Sequence, residues 1–158
     1  MKLILSIIFL ACSAVIDAQP PVGSKAPEIA LPNANGEIIK LSSLLGKVVV
    51  IDFWASWCRP CREGNQQMKQ VYKKYRDKGL EVYGISIDDN ERSWKNAVAQ
   101  DKITWLQVID KDAARGNQLT QTWAIRYIPT IFVIDKQGNV AAKEPSEGKL
   151  EKLLKKLL

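Results

Sequence analysis

At 158 residues, with a formal net charge of +6 and no histidine, the chain has room for one ordinary domain, and any metal site would have to do without imidazole. The lysines are interspersed with acids and cluster only near the C-terminus. That pattern excludes a dedicated nucleic-acid binder and fits solubility first, with a bias toward acidic partners second.

Taken in chain order, residues 1–18 stand apart. Lys2 is a short positive region, Leu3 to Leu10 is apolar, and the chain then turns small and polar before Ala18. This is the layout of a secretory signal peptide removed after Ala18, which predicts export to the periplasm or cell envelope. The apolar run of about 14 residues is short of the roughly 20 that a spanning helix needs. Phe9-Leu10-Ala11-Cys12 also resembles a bacterial lipobox, although Phe9 and Leu10 depart from the usual residues. The alternative is therefore a lipoprotein anchored through Cys12, the one case in which this protein would meet a membrane. Loss of Lys2 and Asp17 leaves the charge balance unchanged. A mature domain of about 140 residues buries roughly two-thirds of its unfolded surface, enough to fold without disulfide staples.

Residues 19–27 form an extended lead-in, and the folded domain is expected over 28–158. Glu28–Leu31 and Glu37–Leu41 flank the turn signal Asn33-Ala34-Asn35-Gly36 and predict a hairpin. Ser42–Leu45 predicts a helical turn stopped by Gly46. Lys47–Ala55 is a near-continuous apolar, β-branched run, suited to a central strand buried on both faces. Met68, Val71, Tyr72 and Tyr75 make the stripe of an amphipathic helix that Gly79 ends. Leu80–Asp88 predicts a second inner strand. Asn90 caps a helix with Trp94, Ala97 and Val98 on its apolar face. Ile103–Ile109 predicts a third strand, Ala113–Trp123 a further helix, and Thr130–Asp135 with Val140–Lys143 a second hairpin. Leu150, Leu153, Leu154, Leu157 and Leu158 line one face of a closing lysine-rich helix, expected to pack on the sheet rather than lie on a membrane. The sum is an α/β sheet covered on both faces.

Once the signal is removed, Cys58 and Cys61 are the only cysteines. In an exported protein such a pair points to a disulfide, yet one that closes so short a loop restrains the unfolded chain little. Chemistry explains it better than stability. Cys58 follows the buried strand and opens a helix, where unpaired N–H groups and the helix dipole favour an anion. Bringing a thiol from pKa 8.5 to near 7 takes about 2 kcal/mol of preferential thiolate stabilisation, which the helix end and the neighbouring Arg59 are expected to supply. Pro60 suits the first turn, where its missing N–H would be unpaired anyway. Two blander alternatives are a zinc site and an inert structural disulfide. Zinc would want four ligands, and no histidine or second cysteine pair is present; the strand-to-helix setting with a charged residue between the cysteines speaks against the other. Asp52 is an acid inside an apolar strand. The bland alternative is a strand residue hydrogen-bonded locally; burying an acid there is costly, which favours a functional role and a pKa raised by desolvation.

The run Val50-Ile51-Asp52-Phe53-Trp54-Ala55-Ser56-Trp57-Cys58-Arg59-Pro60-Cys61 resembles the active-site strand and loop of thioredoxins, and Ile128-Pro129-Thr130 resembles their cis-proline loop. The N-terminal hairpin, Gly84-Ile85-Ser86-Ile87-Asp88 and the extra helix and strand before Pro129 are closer to the TlpA/ResA-like branch of exported thioredoxins. The resemblance runs from about Val22 to the end. It implies a thioredoxin fold: a central mixed sheet flanked by helices, with an N-terminal β-hairpin and a helix–strand insertion. It also implies a cofactor-free thiol–disulfide oxidoreductase acting on protein or peptide disulfides. Cys58 would be the exposed nucleophile, Cys61 the more buried resolving thiol, and Asp52 the acceptor of the Cys61 proton. Trp57, Arg59 and Pro60 would contact substrate, and the backbone of Ile128 before cis-Pro129 would pair with an extended substrate segment. Trp54 belongs in the core or just behind the site. One departure stands out. Where the branch carries a glutamate and then a proline after the second cysteine, this chain has Gly64 and Gln66, with an acid at Glu63. That implies an unkinked first helix and a tuning acid that is missing or displaced.

The leading expectation is a reductase supplied by a membrane electron carrier, for which Ile128 before the proline is modest support. An oxidase that donates its disulfide is the alternative, favoured by thiolate stabilisation from Arg59. A peroxidase of the peroxiredoxin kind would need a Pro-x-x-x-Thr-x-x-Cys run, which does not precede Cys58. A non-catalytic peptide-binding module using the Pro129 groove is the remaining alternative.

Overall fold

The computed structural model describes residues 18–158. The expected signal segment up to Asp17, with Cys12 and its lipobox, lies outside the described residues. Ala30–Pro32 (β1) and Ile38–Lys40 (β2) pair antiparallel as a separate two-stranded sheet. Their turn is held by Asn33, whose Oδ1 accepts from the N–H groups of Asn35 at 2.9 Å and Glu37 at 3.0 Å, and Gly36 takes the left-handed conformation the turn needs at φ 83°. A 3₁₀ turn follows at Leu41–Leu44.

Val48–Trp54 (β3) is buried at every position, as its unbroken apolar run requires. It is followed by the helix Arg59–Tyr75 (α1), the strand Leu80–Ser86 (β4) and the helix Glu91–Gln100 (α2). Leu106–Ile109 (β5), Gln118–Thr122 (α3), Thr130–Ile134 (β6), Val140–Lys143 (β7) and Glu147–Leu157 (α4) complete the chain. The main sheet has five strands in the order β5-β4-β3-β6-β7. β3 pairs parallel with β4, and β4 with β5; β6 pairs antiparallel with both β3 and β7.

Side chains alternate along β3 and supply two cores. Val48 and Val50 pack with Met68, Val71, Leu150 and Leu154, so α1 and α4 cover one face. Val49, Ile51 and Phe53 pack with Ile29, Leu41 and Trp123 on the other, where the hairpin and the α3 segment lie. There Trp123 meets Phe132 edge-on at 4.9 Å between ring centroids, a favoured aromatic geometry.

Two expectations are corrected. Ala113–Trp123 is not one helix: Ala113–Arg115 is a 3₁₀ turn closed by Gly116 at φ 72°, and α3 starts afresh from Asn117, whose side chain accepts the Thr120 N–H. The strand expected over Ile103–Ile109 begins only at Leu106. Lys102 at φ 52° turns the chain out of α2, and the Ile103 N–H bonds back to Val98 O. Trp105 is buried against Tyr72 rather than by pairing in the ladder.

Candidate active site

β3 ends at Trp54, and Ala55, Ser56 and Trp57 bridge it to α1. Cys58 is the N-cap residue of that helix, with extended backbone, and its Sγ accepts the Cys61 N–H at 3.3 Å. The sulfur expected to become a thiolate thus already faces a helix-end donor. Pro60 falls in the first turn, as anticipated, and α1 runs uninterrupted to Tyr75 with Gln66 inside it. Cys58 and Cys61 are disulfide-bonded, their Cα atoms 5.3 Å apart.

The order of exposure agrees with the assigned roles, but its degree does not. Cys61 is 2% exposed and Cys58 only 6%, so in the oxidised form Cys58 is not an open nucleophile. It packs with Trp54, Ala55, Trp94, Ala97 and Ile109, with Ile128 at the edge of the cluster. What stands open beside it is Trp57, 65% exposed, together with Arg59, Pro60 and Pro129. Arg59 is turned to a carboxylate on its own helix. Its Nε donates to Glu63 Oε1 at 3.1 Å on the exposed helix surface, whereas the donor at the Cys58 sulfur is the Cys61 N–H of the helix end. The displaced acid Glu63 is thereby turned outward.

Asp52 sits between Gly84 of β4 and Ile131 of β6. It is buried, and its Oδ1 has no hydrogen-bond partner among the described residues. Desolvation pushes its pKa up to about 7, because the charged form has lost water without gaining a donor. Asp52 and Cys61 line one cavity of about 250 Å³ with Gly64, Met68, Pro129 and Leu150. The Ile128–Pro129 bond is cis, and the Tyr127 carbonyl accepts from Thr130 Oγ1 at 2.7 Å. Ile128 is half-buried and lies just beyond the β3–β6 ladder, which starts at Thr130. The cysteines, the acid and the proline loop, spread over some eighty positions of sequence, therefore meet at one end of the central strand.

The profile of the AhpC/TSA family matches residues 22–143. The chain belongs to the AhpC/TSA family. Within that family it is 34% identical over 139 residues to thiol-disulfide oxidoreductase ResA of Bacillus cereus, covering 86% of this chain and 78% of that protein. It is 30% identical over 118 residues to ResA of Bacillus subtilis, covering 75% and 64%. Among solved structures, the thioredoxin domain of a thiol-disulfide oxidoreductase from Bacteroides vulgatus superposes with a TM-score of 0.79 at 33% identity, covering 86% of this chain and 96% of that one. A thiol:disulfide interchange protein from a Bacteroides species gives 0.78 at 33% identity, covering 87% and 90%. The expected thioredoxin fold and the enzyme class, protein thiol–disulfide oxidoreductase, both hold.

In this AhpC/TSA-family oxidoreductase the site also contains residues that sequence reasoning passed over. Ser56 is gripped on both sides: its N–H and Oγ donate to Asp88 at 2.9 and 2.6 Å, and its carbonyl accepts from Arg62 Nη1 at 3.1 Å. Arg62 is in turn clamped by Asp101, Nε to Oδ2 at 2.5 Å and Nη2 to Oδ1 at 2.7 Å. Burial pushes the Asp101 carboxyl up, but hydrogen bonds from Arg62 and Asn65 hold it below its usual value. Asp88 was visible only as part of the Gly84–Asp88 resemblance. The Arg62–Asp101 pair spans 39 positions and leaves no local signal.

Proposed function

We propose that this oxidoreductase works as a reductase of disulfides in envelope proteins, exported with loss of residues 1–18 and recharged by a membrane electron carrier. The observation that carries the proposal is the placement of Asp52. An unpartnered buried acid with a pKa near 7 shares a cavity with Cys61, and Cys61 is the thiol that must lose its proton to release a reduced partner.

The cycle starts from the dithiol. The Cys58 thiolate attacks one sulfur of the partner disulfide, forming a mixed disulfide and expelling one partner thiolate. Asp52 then takes the Cys61 proton, and the Cys61 thiolate attacks Cys58 Sγ. The Cys58–Cys61 bond forms as the bond to the partner breaks and the second partner sulfur leaves with its electron pair. Two electrons have passed to the partner, and the carrier must return two. Trp57 and the backbone of Ile128 offer an aromatic surface and an extended edge to the incoming peptide, and Pro129 closes the groove beside the cysteines.

Trapping tests this directly. A Cys61→Ser variant should accumulate mixed disulfides with envelope proteins through Cys58, and a Cys58→Ser variant should accumulate none. The direction is decided by the reduction potential. A value near −270 mV supports reduction, whereas one near −120 mV makes the protein a disulfide donor.

A further inference from the structure

When the disulfide opens, its covalent tie between the bridge and α1 is lost, and Cys58 is left at the end of the three-residue segment Ala55–Trp57. Trp57, the residue next to it, is largely exposed and offers little anchorage. A thiolate at a helix N-terminus is stabilised only while it stays within the first turn. The Cys58 N–H bonds to Ala55 O and the Cys58 carbonyl accepts the Arg62 N–H, both at 3.1 Å, so its position then depends on how firmly the bridge itself is held.

The bridge is held at Ser56, two residues upstream, all of whose polar groups are engaged. Its N–H and hydroxyl occupy both oxygens of Asp88, which also accepts Ser86 Oγ at 2.6 Å while its own N–H donates to that hydroxyl at 3.0 Å. Asp88 is buried at the end of β4, the strand paired in parallel with β3, so this grip is referred to the rigid sheet. The Ser56 carbonyl is held from the other side by Arg62, the residue after Cys61. Arg62 is itself fixed by a two-pronged pair with Asp101 at the C-cap of α2, and Asn65 Nδ2 donates to the same carboxylate at 3.0 Å. The guanidinium fork lets one side chain bind a carboxylate and a carbonyl at once, which an ammonium on a flexible stem does poorly.

Building on the proposed reductase chemistry, we propose that the Asp88–Ser56–Arg62–Asp101 frame holds Cys58 Sγ against the first turn of α1 in the dithiol form, making Arg62 and Asp88 positioning residues for the reaction. None of them touches the sulfur; they act through the Ser56 backbone and hydroxyl.

The test uses substitutions that conserve charge, because Asp52 on β3, Arg59 and Glu63 on α1, and the frame's own Asp88, Arg62 and Asp101 all surround the site. Arg62→Lys keeps the positive charge but loses the fork. Ser56→Ala removes one hydrogen bond to Asp88 and no charge. The readouts are the pH profile of Cys58 alkylation in the reduced full-length mature protein and its redox equilibrium with glutathione. Relative to the parent, Arg62→Lys should slow alkylation at pH 7 about twofold or more, by moving the profile up half a unit or more from near 7. The Ser56→Ala effect should be smaller and of the same sign. With the thiolate less stabilised, the potentials should become more reducing. Circular dichroism and melting separate this from loss of fold, which would not shift the profile of the folded protein. If Arg62→Lys does not fold, Ser56→Ala decides alone. Variants that fold and keep the parent's profile and potential overturn the frame. A parent that alkylates like a free thiol would overturn the helix-end chemistry itself, and that is seen before any variant is compared.

Discussion

Burial without a donor raises the Asp52 pKa from 3.8 to about 7, and this has consequences for both stability and turnover. Between those two values the folded protein keeps a proton that the unfolded chain releases. The group's contribution to stability is therefore most favourable below the unfolded value, falls as pH rises through the window, and is flat above it. Asp52→Asn imitates the protonated acid, so its denaturation curve should match the parent's at acidic pH. At pH 8 it should be the more stable protein, by on the order of 4 kcal/mol. The same variant should still form mixed disulfides but resolve them roughly 100-fold more slowly at neutral pH, as followed by quenched-flow mass spectrometry. Equal stability of the two proteins at every pH would remove the raised pKa. A second residue-scale prediction concerns Gly84. A Cβ there would lie 2.1 Å from Gln107 Nε2, and Gln107 Oε1 accepts the Trp54 indole N–H at 3.0 Å. Gly84→Ala should expel Gln107, leave a buried indole donor unpaired and destabilise by about 1–3 kcal/mol in urea titrations. Gln107→Ala added to it should recover the steric part of the loss.

At the scale of elements, what was legible in the sequence depended on whether burial came from regular structure. β3 and α1 were readable because an apolar run and an i, i+3, i+4, i+7 stripe each map onto a single regular element, β3 covered on both faces and α1 on one. Across 103–109 the same apolar signal misled: Ile103 and Trp105 reach the core from a loop, and only the last four residues join the ladder. Over 113–123, Ala113 and Trp123 are buried from two separate pieces divided at Gly116 and Asn117. The expected helix ran straight through Gly116 and Asn117, because the reason for the break there lies in a tertiary contact. Asp110 is buried, and the Asn117 Nδ2 donates to both its oxygens at 2.8 and 2.7 Å while Oδ1 caps α3. Asn117→Ala should therefore cost more than the usual cap loss of about 1 kcal/mol, because it also strips a donor pair from a buried carboxylate. Hydrogen exchange should quicken across α3 before it does in β3. A variant as protected as the parent would show that α3 is held by Leu119 and Trp123 alone.

For the whole molecule, the question is whether folding leans on the bond that the chemistry must repeatedly open. The cysteine and cis-proline motifs could be read from sequence because each is local. The Ser56 frame could not, since it joins the bridge, α1, the end of β4 and the end of α2, and only the closed fold brings these together. Cores on both faces of the five-stranded sheet enclose the strand that leads to the cysteines, and neither contains a sulfur of the pair. The Cys58–Cys61 loop spans three positions, and closing so short a loop removes little entropy from the unfolded chain, about 2 kcal/mol at most. The dithiol protein, or a Cys58→Ser/Cys61→Ser double variant, should then lose no more than about 2 kcal/mol in urea titrations. Its m-value should stay the same, because the surface exposed on unfolding is unchanged. A loss of 5 kcal/mol or more, or a collapsed m-value, would mean that the pair is a structural staple, and a staple cannot cycle without unfolding its own carrier.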